Sequence, residues 1–228
     1  MSNIISLQKI NKFYGTVVPQ HVLYDVDLNF EAKTFNSIIG QSGSGKSTLL
    51  NIMGTLDKPS SGNVYINGNK VSDLSKNKLA NLRNKDIGFI FQFHFLLPEF
   101  TVYENILLPF KMYHRKIPRE IIERAELLME TVGISKVRNN KATAISGGQA
   151  QRTAIARALI NNPKIILADE PTGNLDSAST ESVYKLLRSL NDTYGTTFVV
   201  ITHNPIVAEK TDRIIEIKDG RVNRDYLT

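Results

Sequence analysis

The stretch Gly40-Gln41-Ser42-Gly43-Ser44-Gly45-Lys46-Ser47 matches the pattern G-x-x-x-x-G-K-[ST], which is typical of a loop that binds nucleotide phosphates. Its glycines let the backbone turn tightly, so that successive N–H groups point at phosphate oxygens. The apolar residues 35–39 predict a strand before the loop, and a helix is expected from Lys46 to Met53. The helix N-terminus favours negative charge, so Lys46 is expected to reach the β- and γ-phosphates and Ser47 to bind Mg²⁺. The alternative interpretation is a glycine-rich turn without a ligand.

A second candidate group ends the apolar run Ile165–Ala168. The run is typical of a buried parallel strand, and two carboxylates, Asp169 and Glu170, follow it. Ligands bind beyond the carboxyl ends of such strands, so we expect this pair to lie opposite the phosphate-binding loop. Asp169 is suited to hold Mg²⁺, and Glu170 to polarise an attacking water. Without the loop, an ordinary turn or helix cap would explain the pair better.

A second possible anion site is Ile145-Ser146-Gly147-Gly148-Gln149. Ser-Gly-Gly before a helix offers backbone N–H groups and a hydroxyl to an anion. Taken by itself, an ordinary N-cap with flexible glycines explains the pattern better. One phosphate-binding loop already serves one nucleotide, so a second anion site needs a reason of its own.

The composition excludes several classes of protein. Of 228 residues, 41% are hydrophobic and 22% charged, which excludes a disordered or fibrous chain, and the absence of cysteine excludes disulfide frameworks and thiol chemistry. The net charge of +6 comes from scattered basic residues, so no nucleic-acid partner is expected. No apolar run approaches the roughly 18 residues that span a bilayer, and no secretory signal is visible. We therefore expect a cytoplasmic protein that meets a membrane only through its surface or a partner.

Strands and helices alternate along the chain. Apolar side chains alternate over residues 22–30 and predict a half-buried strand, Val64–Gly68 predicts a hairpin, and Ile87–Phe91 predicts a further strand. Later elements are expected at residues 118–132, 148–162, 165–168, 178–191, 198–202 and 214–217. This alternation predicts an α/β fold with a mostly parallel sheet. The helical stretch from about 95 to 155 is expected to be an inserted lobe, so residues 1–228 are treated as one domain.

Taken together and in this order, the motifs resemble those of the ATP-binding subunits of ABC transporters over nearly the whole chain. The resemblance matches residues 40–47 to the Walker A loop, Leu167–Glu170 to the end of Walker B and Ser146–Gln149 to the signature motif. Single residues also match, although each alone would be unremarkable. These are Tyr14 as the aromatic that stacks on adenine, Gln92 as the Q-loop glutamine, Asn174-Leu175-Asp176 as the D-loop and His203 as the switch histidine.

The resemblance implies a P-loop NTPase core with a mostly parallel sheet, an N-terminal antiparallel β subdomain and an inserted α-helical subdomain. It implies an ATPase that uses ATP and Mg²⁺. The implied catalytic residues are Glu170 as general base with His203, Lys46 and Gln92. The implied metal ligands are Ser47, Gln92 and Asp169. The implied nucleotide contacts are Tyr14, residues 40–48 with Thr48 included, Gln92, residues 146–149 and Asp176.

The resemblance also supplies a reason for the second anion site. In this family two subunits pair head to tail, and the signature of one covers the ATP on the Walker A loop of the other. A homodimer is therefore implied, in which Lys46 and the partner's Ser146 grip the same γ-phosphate. Hydrolysis removes this bridge, and the dimer opens.

Residues 91–101, Glu104-Asn105-Ile106 and residues 171–176 resemble the lipoprotein-releasing, macrolide-export and cell-division subfamily. This implies a separate membrane permease that docks near residues 92–106, where Phe and Leu are frequent, and a location on the inner face of the cell membrane. Packing within the lobe is the alternative explanation for those apolar residues. Two positions depart from the family pattern: Ile145 replaces the usual Leu, and Ala150 stands where a polar residue is common.

The function expected from the resemblance is to power a permease for lipoprotein release or for peptide- or macrolide-type export. One alternative is a non-transport ATPase that regulates envelope or cell-division enzymes through a membrane partner. A second is a soluble nucleic-acid or repair factor with the same ATP-binding head. Such factors usually carry coiled-coil insertions or a duplicated domain, and the sequence shows neither.

Overall fold

The structure is a computed structural model that describes residues 3–15, 17–173 and 175–228. The strands are β1 (Asn3–Tyr14), β2 (Gln20–Glu31), β3 (Phe35–Ile39), β4 (Ser61–Ile66), β5 (Asn69–Lys70), β6 (Ile87–Phe91), β7 (Ile165–Asp169), β8 (Thr197–Ile201), β9 (Arg213–Lys218) and β10 (Arg221–Leu227). The α-helices are α1 (Lys46–Met53), α2 (Lys76–Asp86), α3 (Val102–Lys111), α4 (Arg119–Thr131), α5 (Gly147–Leu159), α6 (Ser177–Tyr194) and α7 (Pro205–Ala208). Most of the elements expected from the sequence are therefore confirmed.

The larger sheet has six strands in the order β10-β9-β3-β8-β7-β6. The strands from β9 to β6 run parallel, and β10 returns antiparallel along β9. Along β7, Ile165 and Leu167 enter one apolar cluster, whereas Ile166 and Ala168 enter the other. Both faces of the sheet are covered, as parallel sheets require. The α/β fold with a mostly parallel sheet is confirmed.

The smaller sheet is antiparallel, in the order β2-β1-β4-β5. It confirms the β subdomain that the resemblance implied. The expected hairpin joins β4 to β5, with Asn67 at φ 50° and Gly68 at φ 78°. Two consecutive positive φ angles are typical of the tight turn that suits an Asn-Gly pair.

The alternation expected over residues 22–30 is wrong in its first half. Val26 is buried as expected, but ahead of it Leu23 is buried, whereas Val22 and Tyr24 are only partly covered. Asp25 has a φ of 44°, and the register of β2 against β1 shifts at this point. An extra residue in one strand turns the side chains before it to the opposite face.

Helices α3, α4 and α5 follow one another between β6 and β7, within the stretch expected to form the lobe. Ile106, Leu128 and Ile155 from these helices share one apolar cluster with Ile166 and Phe198 of the sheet. The helices therefore pack directly on the sheet. The division of the chain into a core and an inserted lobe stays a prediction.

Three elements were not expected from the sequence. Strand β1 has an irregular burial pattern and β10 is an almost entirely exposed edge strand, so neither shows a clean period of two. Helix α2 buries only Leu82 and has no apolar stripe. Helix α5 also ends earlier than expected, at Leu159, and Asn162 has a left-handed φ of 53°. Strands β1 and β10 and helix α2 are stabilised by contacts with neighbouring elements, which the local sequence pattern does not show.

Candidate active site

The phosphate-binding loop joins β3 to α1. Gly40, Gly43 and Gly45 have φ angles of 147°, 78° and 102°, a region that other residues rarely adopt. At Gly40 the space is closed as well, because a Cβ there would lie 2.1 Å from the carbonyl oxygen of Ile217. Helix α1 begins after Gly45, which has no side chain to cap it. The N–H groups of its first turn can therefore bind an anion.

Lys46 is buried in this loop, with 6% of its surface exposed. Its Nζ donates hydrogen bonds to the carbonyl oxygens of Gly40 (2.9 Å) and Gln41 (2.7 Å). Burial lowers the pKa of Lys46, and the nearby charges of Glu170 and Asp169 offset part of this effect. The loop thus holds a cationic group close to two carboxylates at the ends of the parallel strands.

Ser47 and Asp169 provide the oxygen atoms suited to a magnesium ion. Burial raises the pKa of Asp169, while a hydrogen bond from Ser47 lowers it in part. A buried carboxylate gains from a cation, and hydroxyl and carboxylate oxygens are ligands that Mg²⁺ prefers. Within the described residues no group of three or more His, Cys, Asp or Glu side chains is suited to a metal. Mg²⁺ commonly needs only one or two carboxylates together with substrate phosphates, so this pair fits it.

Gln92 follows β6 directly, and Phe91 pairs with Asp169 across the sheet. The Gln92 side chain packs against Gly173, in the turn after Glu170. A Cβ added to Gly173 would lie only 2.6 Å from Gln92 Nε2. The structure therefore places Gln92 at the carboxyl end of β6, beside the strand that carries Asp169.

Glu170 and His203 lie within hydrogen-bond distance, with 2.6 Å between Glu170 Oε2 and His203 Nε2. Glu170 follows β7 with a left-handed φ of 48°, and its N–H donates to the carbonyl oxygen of Ile201 in β8. The side chain of His203 is 62% exposed and that of Glu170 is 20% exposed. The carboxylate is thus held at the edge of the sheet, with one side against the histidine and access to solvent.

Tyr14 lies at the end of β1, close to helix α1. Its hydroxyl donates to Asp57 Oδ2 (2.6 Å), and Lys12, which is ion-paired with Asp57 (2.7 Å), lies 4.6 Å from the ring centre. Burial and the bond to Asp57 raise the pKa of Tyr14, whereas a hydrogen bond with Thr48 lowers it. The ring is 41% exposed, so it offers an aromatic surface beside the phosphate-binding loop.

The Ser146–Gln149 segment forms a reciprocal cap at the start of α5. Ser146 Oγ accepts from the Gln149 N–H (3.3 Å), and Gln149 Oε1 accepts from the Ser146 N–H (2.9 Å). A Cβ on Gly147 or Gly148 would meet no atom within 4 Å. In the described part of the chain no hydrogen bond or ion pair joins this segment to residues 40–48. The space around these two glycines at the start of α5 is therefore open.

Asp176 caps helix α6, accepting hydrogen bonds from the Ser179 N–H (2.9 Å) and hydroxyl (2.8 Å). These bonds lower the pKa of Asp176. Asn174, the first residue of the D-loop match, lies outside the described residues. Ala150 is buried, with 8% of its surface exposed, so its small side chain suits a packed position rather than a surface contact.

Two groups near the site were not found from the sequence. Asp57 and Lys12 anchor Tyr14, but they lie 45 residues apart and share no motif. Tyr184 lies under the Glu170 turn, and burial raises its pKa to about 12, an effect that Thr202 and Thr172 partly offset. In the sequence, only the position of Tyr184 on the apolar face of the predicted helix indicated that it would be buried.

A surface hollow of about 870 Å³ lies elsewhere, on the outer face of the antiparallel sheet. Its polar side chains mostly bond one another, as in the pairs Ser6–Asn29 (2.6 Å) and Asn11–Asp25 (2.7 Å). The residues around Lys46 and Glu170 combine a cation, carboxylates and open backbone donors, so chemistry and not volume identifies the candidate site.

None of the helices in the described ranges is long and apolar enough to cross a membrane.

Comparison with known proteins gives relatives over nearly the full length. The family model for ABC transporters matches residues 23–173. The lipoprotein-releasing system ATP-binding protein LolD 1 of Rhodopseudomonas palustris is 46% identical over 224 residues, covering 97% of this chain and 99% of the relative. LolD of Shewanella oneidensis is 49% identical over 220 residues, covering 95% and 94%.

Two solved structures share the fold. A dimeric post-hydrolysis structure of the ATP-binding cassette MJ0796, bound to ADP and Pi, has a TM-score of 0.89 with 44% identity and covers 98% of both chains. The cbiO1 protein of Clostridium perfringens, part of the ABC transporter complex cbiONQ, has a TM-score of 0.88 with 29% identity and covers 99% of this chain and 88% of its own.

Proposed function

Because this chain belongs to the ABC transporter family, we propose that it is the ATP-hydrolysing subunit of a lipoprotein-releasing transporter. The observation that carries the proposal is the grouping of Lys46, Asp169, Glu170 and His203 at the ends of neighbouring strands beside the glycine loop. The names of the LolD relatives support lipoprotein release as the work that ATP drives.

The loop is proposed to hold the triphosphate. Lys46 exchanges its bonds to the Gly40 and Gln41 carbonyl oxygens for bonds to phosphate oxygens, and the first turn of α1 adds backbone N–H donors. Tyr14 stacks on the adenine. Ser47 and Asp169, with Gln92, hold Mg²⁺, which when bound neutralises charge on the phosphates.

Glu170 is proposed as the general base. It accepts a proton from the attacking water as the water oxygen bonds to the γ-phosphorus, and the bond to the ADP oxygen breaks. His203, 2.6 Å from the same carboxylate, orients the water and contacts the γ-phosphate. Removal of a positioned base typically lowers the rate roughly 10²–10⁴-fold.

A second copy of the chain is proposed to complete the site. The open start of α5 contributes Ser146 and Gly148 of the partner subunit to the γ-phosphate, as in a symmetric homodimer with two composite sites. The dimeric cassette structures support this arrangement. ATP then favours the closed dimer, and hydrolysis releases it.

A membrane permease is proposed to dock near residues 92–106. Phe93 and Phe95 are 64% and 66% exposed there, and an apolar groove of about 400 Å³ lies beside them, lined by Phe91, Leu108 and Met112 among others. An exposed apolar patch of this kind favours a protein partner. The chain would then sit at the cytoplasmic face of the membrane, held by the permease.

The test is to trap the closed dimer. Glu170→Gln should bind Mg-ATP normally, lose nearly all hydrolysis and run as a dimer on a sizing column only when ATP is present. Glu216→Gln changes a partly exposed carboxylate on β9 that accepts a hydrogen bond from Asn223 (2.8 Å). It is the matched control and should remain an active monomer after turnover. Undiminished hydrolysis by Glu170→Gln would remove Glu170 from the mechanism, and a monomer with bound ATP would exclude the composite site.

A further inference from the structure

The turn between helices α3 and α4 carries an exposed run of basic and apolar side chains. This basic turn comprises residues 111–116, Lys-Met-Tyr-His-Arg-Lys, and every one of them is exposed. Met112 is 73% exposed and Tyr113 is 43% exposed. Within the described residues, no carboxylate forms an ion pair with the two lysines or the arginine of this turn. The turn therefore presents three positive charges and two apolar side chains to solvent.

The basic turn is held in place from both sides. The His114 N–H donates to the carbonyl oxygen of Phe110 (3.2 Å), and the rings of these two residues stack with 4.3 Å between their centres. Beyond the turn, Ile117 packs against the apolar cluster that contains Ile106 of α3. A turn fixed in this way keeps its cations at one place on the surface.

The surface on either side of the basic turn lacks carboxylates. Met112 and Tyr113 line the apolar groove proposed for the permease, and Tyr113 and His114 line a second hollow of about 490 Å³. Among the described residues around both hollows there is no Asp or Glu, whereas the groove contains Arg83 and the second hollow contains Lys85, both from α2. The positive charge of the turn therefore continues onto α2.

The carboxylates closest along the chain do not cancel this charge. Lys111 lowers the pKa of Glu104 in α3, but the bonds of Glu104 with Thr101 have the larger effect. Glu123 of α4 pairs with an arginine of its own helix (2.7 Å). Glu120 is then one exposed carboxylate against the three cations of the turn. The region as a whole keeps a positive charge, which favours an anionic partner.

The apolar groove indicates which anionic partner the turn meets. In the proposed function the groove receives a segment of the membrane permease, so the rim of the groove faces the cytoplasmic leaflet. Basic segments close to this leaflet are attracted to its anionic lipids. Aromatic and long apolar side chains between such cations lie at the level of the lipid headgroups. Tyr113 and Met112 have this chemistry and this position.

We propose that the basic turn binds anionic phospholipid headgroups beside the permease. Lys111, Arg115 and Lys116 contact the lipid phosphates, while Met112 and Tyr113 lie at the level of the headgroups. Each cation near such a surface strengthens binding about fivefold, so the turn by itself binds weakly. The permease holds the turn at the membrane and raises its effective concentration there. The inference rests on the proposed function, because the occupant of the groove decides which side of the chain faces the lipid.

The first experiment measures binding to vesicles by cosedimentation at low salt, without ATP. The vesicles contain equal parts of phosphatidylglycerol and phosphatidylcholine. The triple variant Lys111→Gln/Arg115→Gln/Lys116→Gln should bind them at least about tenfold more weakly than the parent. Binding of the parent should weaken as the salt concentration rises, and vesicles of phosphatidylcholine alone should bind neither protein.

The matched control removes the same charge elsewhere. Lys9→Gln/Lys33→Gln/Lys218→Gln changes exposed lysines in β1, in the turn between β2 and β3 and in β9, which line neither hollow. We expect this variant to bind the phosphatidylglycerol vesicles within about twofold of the parent, because the basic turn is intact. Equal binding by the two triple variants would show that net charge alone attracts the chain, and it would overturn the inference. A parent that does not bind these vesicles would overturn it as well.

The second experiment tests which side of the chain meets the lipid. The chain has no cysteine, so Met112→Cys and Leu127→Cys each give one attachment point for an environment-sensitive fluorophore. Leu127 of α4 is 52% exposed in a hollow lined by Glu123 and Glu126 among others, so an anionic surface should repel it. With phosphatidylglycerol vesicles we expect a blue shift of the emission at position 112 and none at position 127.

Equal shifts at the two positions would show that the basic turn does not face the lipid and would overturn the inference. Both experiments use neither ATP nor the permease. Their failure is therefore distinct from failure of the proposed function, which the trapped-dimer test measures separately.

Discussion

Lys46 shows how one side chain links the local sequence to the whole site. It stands at the first position of α1, where the helix favours an anion, and it is buried among backbone carbonyl groups that bind its ammonium group. Two carboxylates from a strand more than 100 residues away raise its pKa against the effect of burial. The fold therefore places its ammonium group where a triphosphate would need it.

Lys46→Ala should lower ATP affinity at least about tenfold, because hydrogen bonds to a charged group contribute about 1.5–3 kcal/mol. Titration with a fluorescent ATP analogue would measure this. Lys164→Ala, which removes an exposed lysine paired loosely with Asp86 (3.9 Å), is the control and should bind like the parent. Equal affinity of both variants would contradict the role of the loop.

At the scale of elements, helices α3 and α5 begin with the same device. Thr101 and Glu104 cap α3 reciprocally, as Ser146 and Gln149 cap α5. A capping box satisfies two backbone donors that would otherwise be unpaired. In α5 the same hydroxyl is the proposed contact to ATP, so one serine serves both the helix and the site.

Glu104 predicts a pH dependence of stability. Its bonds with the backbone and hydroxyl of Thr101 lower its pKa in the folded protein. A lowered folded pKa contributes stability above the unfolded value of about 4.3, and this is lost as the pH falls through the folded value. Glu104→Gln should therefore be less stable than the parent at pH 7, with the difference shrinking towards pH 3.

Urea denaturation at several pH values would measure that difference. Glu130→Gln changes an exposed glutamate in the last turn of α4 and serves as the control. A difference for Glu104→Gln that stays constant between pH 7 and pH 3 would show that the carboxylate does not cap α3 in solution.

At the scale of the molecule, the two halves of the proposed ATP site belong to different copies of the chain. The loop after β3 holds one half, and the start of α5 holds the other. No hydrogen bond or ion pair joins the two within the described residues. Two-fold pairing lets each half meet the complementary half of the partner. One monomer alone is then an incomplete enzyme.

Mixing two inactive variants tests this. Lys46→Ala damages the loop and Ser146→Arg damages the signature, so each homodimer should be inactive. In an equal mixture about half the dimers are mixed, each with one intact site, so about a quarter of the parent ATPase activity should return. Mixing Ser146→Arg with the Lys46→Ala/Ser146→Arg double variant should restore nothing. Absence of recovery in the first mixture would contradict the composite site.

The local sequence pattern was sufficient to predict the bounds of elements that begin or end at a glycine loop or an apolar run. Helix α1 and strand β3 have the bounds expected from the glycine loop and the apolar run beside it. The register shift at Asp25 was not predictable, because it depends on how β1 pairs with β2. The assignments of individual catalytic and binding residues stay predictions.

The sequence by itself determined the α/β fold, the phosphate-binding loop and the family, because glycines, turn residues and short motifs act through contacts between near neighbours. Only the tertiary structure decided that Glu170 bonds to His203 and that Asp57 anchors Tyr14. Those contacts join residues tens of positions apart. Their geometry depends on strand order and helix packing, which no local stretch of the chain contains.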